Sequence, residues 1–169
     1  MSSSMPIHDR LLEQLDAGGA RYRLIDHPAE GRTEQASALR GHGLAESAKS
    51  LVVRVSLTKR TRRYLLAVVS GHDQVDLAEL ARLGGGSKAV FAARHVAEQL
   101  TGAVSGSIPP VAYDPGLELI VDPALLEHEE IFFNAARLDR SLAVNTADYL
   151  RLVSPRIERI ATTPLVRAS

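Results

Sequence analysis

Two β-rich runs, "SLVVRVSL" at 50–57 and "YLLAVV" at 64–69, face each other across the basic linker "TKRTRR". Two such runs with a short polar connection read as an antiparallel hairpin, and the rest of the chain has to be arranged on its edges and faces. Around it, helical and strand patterns alternate. "HDRLLEQLDAGGA" places Leu11, Leu12 and Leu15 on one helical face and stops at Gly18-Gly19. "RYRLIDHP" reads as a short strand ended by Pro28, and "EQASALRG" as a short helix with Thr33 as its N-cap and Gly41 as its stop. "VDLAELARLGGG" and "RHVAEQLTG" are helices, and "KAVFA", "LELIVD" and "EIFFNA" are strands. "VSGSIPPVAYDPG" is a loop, and "NTADYLRLV" is a closing helix capped by Asn145 or Thr146. A hairpin within a strand–helix alternation implies a mixed sheet rather than a doubly wound one. At 169 residues without a repeat or linker, one α/β domain with frayed ends is expected.

Composition narrows the chemistry. There is no cysteine, which removes disulfides, thiolate metal sites and a cysteine nucleophile. Lys plus Arg equal Asp plus Glu at 20 each, so any nucleic-acid contact must be a local patch rather than a global field. The N-terminal "MSSSMPIHDR" has no apolar stretch and no run approaches 18 apolar residues, so neither export nor membrane insertion is expected, and a cytoplasmic place fits. None of the six histidines forms a His-x-x-x-His pair, and "EHEE" around His128 reads as a solvated helical face. No metal and no cofactor are expected. "LGGGSKA" is not a phosphate loop, because Ser87 separates Gly86 from Lys88 and the run follows a helix; it reads as a helix stop.

Four places invite a functional reading. Lys49 sits at the mouth of what reads as the most buried strand; taken alone, a lysine there is a solvated charge. "GSIPP", Gly106 to Pro110, packs a glycine, a hydroxyl and two prolines into a stiff loop whose N–H groups suit a carbonyl or carboxyl oxygen, although such a string is more often a plain turn. His27 ends a strand beside Pro28, where side chains often face a cleft. Lys59, Arg60, Arg62 and Arg63 form a basic hairpin tip, read first as a charged turn and second as a phosphate contact for a nucleic-acid strand.

In order along the chain stand "HP", "AKSLVVRV", "LAVVSGHDQVDLAELA", "QLTGAVSGSIPP", "LIVDPAL" and "FNAARLDRSLAVNTADYLRL". This series resembles the YbaK/prolyl-tRNA-synthetase-associated domain family of aminoacyl-tRNA editing deacylases, over nearly the whole chain from Ile7 to Val153. "GSIPP", "FNAARLDRS" and "TADYLR" are most similar to its YeaK branch. The resemblance implies a YbaK-like fold: a mixed, mostly antiparallel, barrel-like sheet surrounded by helices over residues 7–155, with a flexible N-terminus at 1–6 and a C-terminal tail at 156–169. It implies editing in trans: hydrolysis of a mischarged aminoacyl-tRNA at its 3′ CCA end, the amino acid being small, such as Ser, Thr or Ala. An aminoacyl-tRNA synthetase in a transient complex is a further partner left open, as is the oligomeric state.

Carried over by residue, the resemblance puts the essential lysine at Lys49 and the GxxxP loop at Gly106, Ser107, Ile108, Pro109 and Pro110. It puts the cleft histidine at His27 and pocket-wall positions at Asn134 and Ser141. Ser141 replaces an aspartate of the Cys-specific members, which argues against strict Cys-tRNA(Pro) specificity. Ala136 stands where the family often has glycine, and its methyl would narrow the pocket or change how the strand turns. An aminoacyl ester is already activated, so placement and oxyanion support can replace a catalytic triad. The expected donors are the N–H groups of Gly106–Ile108, with Lys49 facing the ester or the terminal adenosine's phosphate, and with the ribose hydroxyl assisting water. Two alternatives stand beside this reading: a non-catalytic module binding a CCA end or small ligand, and a hydrolase of small aminoacyl or acyl esters that ignores the nucleic acid.

Overall fold

The computed structural model describes residues 5–162. The expectations for Met1–Ser4 and for 163–169 lie outside the described residues. In chain order the elements are α1 (Ile7–Ala17), β1 (Tyr22–Asp26), α2 (Thr33–Arg40), β2 (Ala48–Ser56), β3 (Arg62–Ser70), β4 (Gln74–Val75), α3 (Leu77–Leu83) and β5 (Lys88–Phe91). There follow α4 (Arg94–Thr101), β6 (Leu117–Val121), β7 (Glu130–Arg137), β8 (Arg140–Asn145), α5 (Thr146–Val153), β9 (Arg156–Ile157) and β10 (Ala161–Thr162).

The hairpin is the centre of the molecule. β2 and β3 pair antiparallel over nine residues each, from Ala48 opposite Ser70 to Ser56 opposite Arg62. β6 joins the far edge of β3 in parallel and β5 joins β2, giving a five-stranded mixed sheet ordered β5-β2-β3-β6-β9. From Leu65 to Ser70 every residue of β3 is buried, because both faces are covered. Leu66 and Val68 point into a core shared with Leu11, Val121, Phe133, Leu142 and Tyr149. Leu65, Ala67 and Val69 point the other way, against Val53, Val55, Leu80, Ile120 and Ile160. Alternate side chains of one strand thus supply two cores.

A second sheet, antiparallel and ordered β1-β8-β7, contributes Ile131, Phe133, Leu142 and Val144 to the first core. An isolated bridge between Ser47 and Phe132 ties it to the start of β2. The two sheets therefore curl around a common interior, and the mixed, mostly antiparallel α/β fold is as expected. The stretch 156–162, expected to belong to a tail, pairs with β6 through β9 and with β4 through β10, and buries Ile160 completely.

Several local expectations are corrected. Thr33 is the first residue of α2, not its cap; Arg32 occupies the cap position with no side-chain bond. The "EHEE" stretch is not a helical face: Leu125–Glu127 form a single 3-10 turn that ends at His128, and Glu130 opens β7. "RSLAVN", for which the sequence pattern predicts no element, is β8, the middle strand of the second sheet. Gly41 and Asn145 behave as expected, the first ending α2 in the left-handed region and the second accepting the Asp148 N–H at the head of α5. Among the described residues no helix is long and apolar enough to cross a membrane.

Candidate active site

A gap in the sheet makes the site. β5 pairs with β2 only from Val53 to Ser56, so the first half of β2, Ala48 to Leu51, has one edge free of it. β7 approaches that half at the Ser47–Phe132 bridge. Between them lies a cavity of about 230 Å³, walled by Ser47–Leu51, by Phe133 and Asn134 of β7, by Gly106 and Ile108, and by Gly31, Thr33, Ala36 and Arg40. Of the residues singled out in the sequence, Lys49, Gly106, Ile108 and Asn134 meet there. Among the described residues, no Asp, Glu or His belongs to the wall.

Lys49 is fixed by its strand: its backbone pairs with Val69, and its ammonium donates to the backbone carbonyl of Asp73. It is half-buried, and this desolvation pulls its pKa below the ordinary lysine value, against the opposing charge of Asp73. Ser50, its neighbour in the wall, keeps a buried hydroxyl that meets no partner among the described residues.

The "GSIPP" loop is locked backbone to backbone. Gly106 has φ +89, and a Cβ there would lie 2.7 Å from Gly31 Cα and 2.8 Å from Gly31 O, so glycine is demanded twice over. Asn134 staples the two segments: its Nδ2 donates to Glu30 O at 2.8 Å and to Gly106 O at 2.9 Å. Glu30 is itself held by Arg32, whose guanidinium and N–H, with the Gly31 N–H, keep its carboxyl down at about 2. Ser107 is fully buried and faces away from the cavity. Its N–H and hydroxyl both donate to Val104 O, at 2.9 and 2.8 Å, and its carbonyl accepts the Ala136 N–H. Of the three residues expected to supply oxyanion donors, only Gly106 and Ile108 line the cavity, and the Ser107 N–H is already engaged. Pro109 and Pro110 are buried behind the loop, where Pro110 O accepts the Tyr149 hydroxyl.

His27 and Ser141 stand one layer back. Ser141 is fully buried; its Oγ donates to Asn134 Oδ1 at 2.8 Å and lies 2.6 Å from His27 Nε2. Neither lines the cavity; Ser141 bears on it through Asn134 and Arg40, and His27 through Ser141.

Arg40 is the wall residue that the sequence did not single out. From the end of α2 its Nη1 donates to Ser141 Oγ at 3.3 Å and its Nη2 to Ser47 Oγ at 3.0 Å, while its buried Nε meets no acceptor among the described residues. Burial lowers its pKa to about 10, so it remains charged at neutral pH.

The basic tip lies elsewhere. Lys59 and Arg60 occupy the turn beyond β2, and Arg62 and Arg63 open β3. The strand residues from 52 to 56, at about 3.3 Å each, separate the turn from the cavity wall at Leu51 by roughly 20 Å. Arg63 is paired with Glu118 at 3.1 Å.

With two cations, the backbone of Gly106 and Ile108 and, among the described residues, no nucleophile–base pair in its wall, the cavity can hold and polarise an oxygen of a reactive ester but has no triad to attack it. Ala136 lies outside the cavity wall and has φ +60, so its effect is on the turn of the strand rather than on pocket width.

Comparison with known proteins bears on this geometry. The profile of the aminoacyl-tRNA editing domain matches residues 27–152. The chain is 38% identical over 164 residues to the multifunctional Ser/Thr-tRNA deacylase ProXp-y of Escherichia coli strain K12, and equally to that of E. coli O157:H7, covering 96% of this chain and 98% of each relative. Its fold matches a crystal structure of a candidate trans-editing enzyme for prolyl tRNA synthetase at a TM-score of 0.74, with 24% identity over 95% of this chain and 99% of that one. A structure of a hypothetical protein aligns at 0.79, with 23% identity over 90% and 99% of the two chains. The matched span runs from the His27 that bears on Ser141 to Leu152 in the last turn of α5, taking in every residue of the cavity wall, and the chain belongs to the aminoacyl-tRNA editing domain family.

Proposed function

We propose that this protein acts in trans to hydrolyse the ester of mischarged aminoacyl-tRNA, releasing a small amino acid and leaving the tRNA with a free 3′ end. The observation that carries this reading is that Lys49, Gly106 and Ile108 line one cavity whose wall, among the described residues, lacks a nucleophile–base pair. Such a site suits an ester that is already reactive. The carbonyl oxygen sits against the N–H groups of Gly106 and Ile108, and water, assisted by the neighbouring ribose hydroxyl, adds to the carbonyl carbon. The tetrahedral oxyanion is held by the same donors. It collapses by breaking the bond to the ribose oxygen, which takes the proton. Lys49 keeps the adenosine end in register through its charge. The relative's name as a Ser/Thr-tRNA deacylase supports Ser and Thr as the amino acids removed.

The test is a deacylation panel of mischarged tRNAs with wild type and Lys49→Ala. Wild type removes Ser and Thr, and the variant, folded by circular dichroism, does not; undiminished turnover by Lys49→Ala would end the assignment. The absence of a general base from the wall favours one rival, a module that grips the CCA end without cleaving it. Release of free amino acid above the blank rate excludes that rival. The basic tip, far from the cavity, is proposed as a weaker contact for the tRNA body. Charge reversal of Lys59 and Arg60 would then flatten the salt dependence of KM without changing kcat.

A further inference from the structure

Arg40 is a charged side chain in a cavity wall, and no carboxylate pairs with it among the described residues. The two acceptors that meet it are neutral hydroxyls, those of Ser141 and Ser47, which are fully buried and nearly so. The guanidinium carries five N–H donors, so at least three remain, including a buried Nε–H with no acceptor among the described residues. A group of this kind is costly to leave undersatisfied, and a ligand atom that accepts from it gains more than it would in water.

Which part of the substrate reaches Arg40 follows from its place. The acceptors already bound to it belong to the interior, so the guanidinium stands at the inner wall rather than at the rim. A volume of about 230 Å³ admits an amino acid and part of a sugar, not a polynucleotide. The phosphates therefore stay outside, and the aminoacyl group enters first. Its α-ammonium is repelled by a guanidinium and turns away. The remaining acceptor that a small side chain offers is a hydroxyl.

We propose, building on the deacylase reading, that Arg40 is the specificity residue of this site: its unengaged N–H groups donate to the side-chain hydroxyl of a seryl or threonyl ester. Ser47 and Ser141 each take one Nη–H and so fix the guanidinium in the wall. An alanyl ester fits the same space but leaves the donors unmet, and is discriminated against on that ground.

One tRNA body charged with Ser, Thr or Ala provides the test. Wild type should show a higher kcat/KM for Ser and Thr than for Ala. Arg40→Met should lower the Ser and Thr values roughly ten- to a hundredfold more than the Ala value, the usual effect of losing a hydrogen bond to a charged group. An equal fall on all three substrates, or no fall on Ser and Thr, overturns the proposal. If Arg40→Met does not fold by circular dichroism, Arg40→Lys supplies the same reading. It keeps the charge but not the fork of donors, and should lose the preference for hydroxyl side chains. Non-hydrolysable amides, 3′-seryl- and 3′-alanyl-amino-adenosine, separate the two claims. A wild type inert on every charged tRNA ends the deacylase reading. Tighter binding of the seryl amide, lost in Arg40→Met, still supports the contact, and equal binding of the two amides to wild type refutes it.

Discussion

The Nε2 of His27 lies 2.6 Å from the Oγ of Ser141, and that hydroxyl has a single proton to give. Ser141 donates it to Asn134 Oδ1, whose amide is held in orientation because its Nδ2 already donates to two carbonyls. Nε2 is then the donor to Ser141, while Nδ1 faces Pro28 O, which can only accept. Ser141 Oγ is thus a hub that meets His27, Arg40 and Asn134 at once.

Removing the hydroxyl tests whether this hub matters. Ser141→Ala strands Asn134 Oδ1 in a buried place and frees an Nη1–H of Arg40. An unmet buried polar group costs about 1–3 kcal/mol, so the urea midpoint should drop correspondingly with an unchanged slope. Turnover should fall too, because Asn134 is what joins Gly106 to Glu30. A variant as stable and active as wild type would show that the hub is incidental.

Lys49 opposes stability while it serves the site. Its folded pKa lies below the unfolded value, burial being the larger cause, so between the two values the unfolded chain binds more protons. Stability attributable to this group therefore rises with pH through that window, and at neutral pH the ionised lysine is a burden on the fold. Lys49→Met, similar in length and uncharged, should unfold at an equal or higher urea concentration and show no deacylation. In wild type the alkaline loss of enzymatic rate, corrected for the blank, should begin below the ordinary lysine value of 10.5. A marked loss of stability in Lys49→Met would contradict this account.

Gly106 admits a sharper comparison. Gly41 has φ +79, and a Cβ there would meet no atom within 4 Å, so Gly41→Ala carries only the left-handed penalty of about 1–2 kcal/mol. Gly106→Ala carries that penalty and a collision with the Gly31 backbone, so one of the two segments over the cavity must move. Displacing the N–H groups there should cost about a hundredfold or more in kcat, the scale for a lost oxyanion donor. Gly41→Ala should keep wild-type kcat; equal kinetics in the two variants would mean that the loop is not the oxyanion support.

What the sequence concealed has identifiable physical causes. The hairpin, α1, α3 and α5 are legible because their apolar spacing and stop residues are local signals. β8 is not, since Ser141 to Val144 are buried on both faces and the Leu138–Asp139 turn has none of the glycine or asparagine that marks a tight hairpin. Arg40 looks in sequence like a basic residue favouring a helix end. Its burial arises from Ser47 and Ser141, and Ser141 is brought in from 101 positions away. Lys49 is marked by its place before a buried run, but its site depends on β5 stopping short at Val53, a register fact that no spacing reveals.

Ala136 supplies the last expectation. The pairing of β7 with β8 shifts register between Asn134 and Arg137, and Ala136 sits within that irregularity at φ +60, where a Cβ is disfavoured by about 1–2 kcal/mol. Its N–H donates to Ser107 O at 3.0 Å, so the conformation is imposed by the closure of the loop behind the cavity. Glycine removes the strain but adds about 0.5–1 kcal/mol of unfolded-state freedom. Relief is the larger effect, so Ala136→Gly should raise the urea midpoint slightly. Since the methyl does not reach the cavity wall, the ratio of Ser- to Ala-tRNA turnover should not change. A change in that ratio with stability unaltered would place Ala136 in the pocket after all.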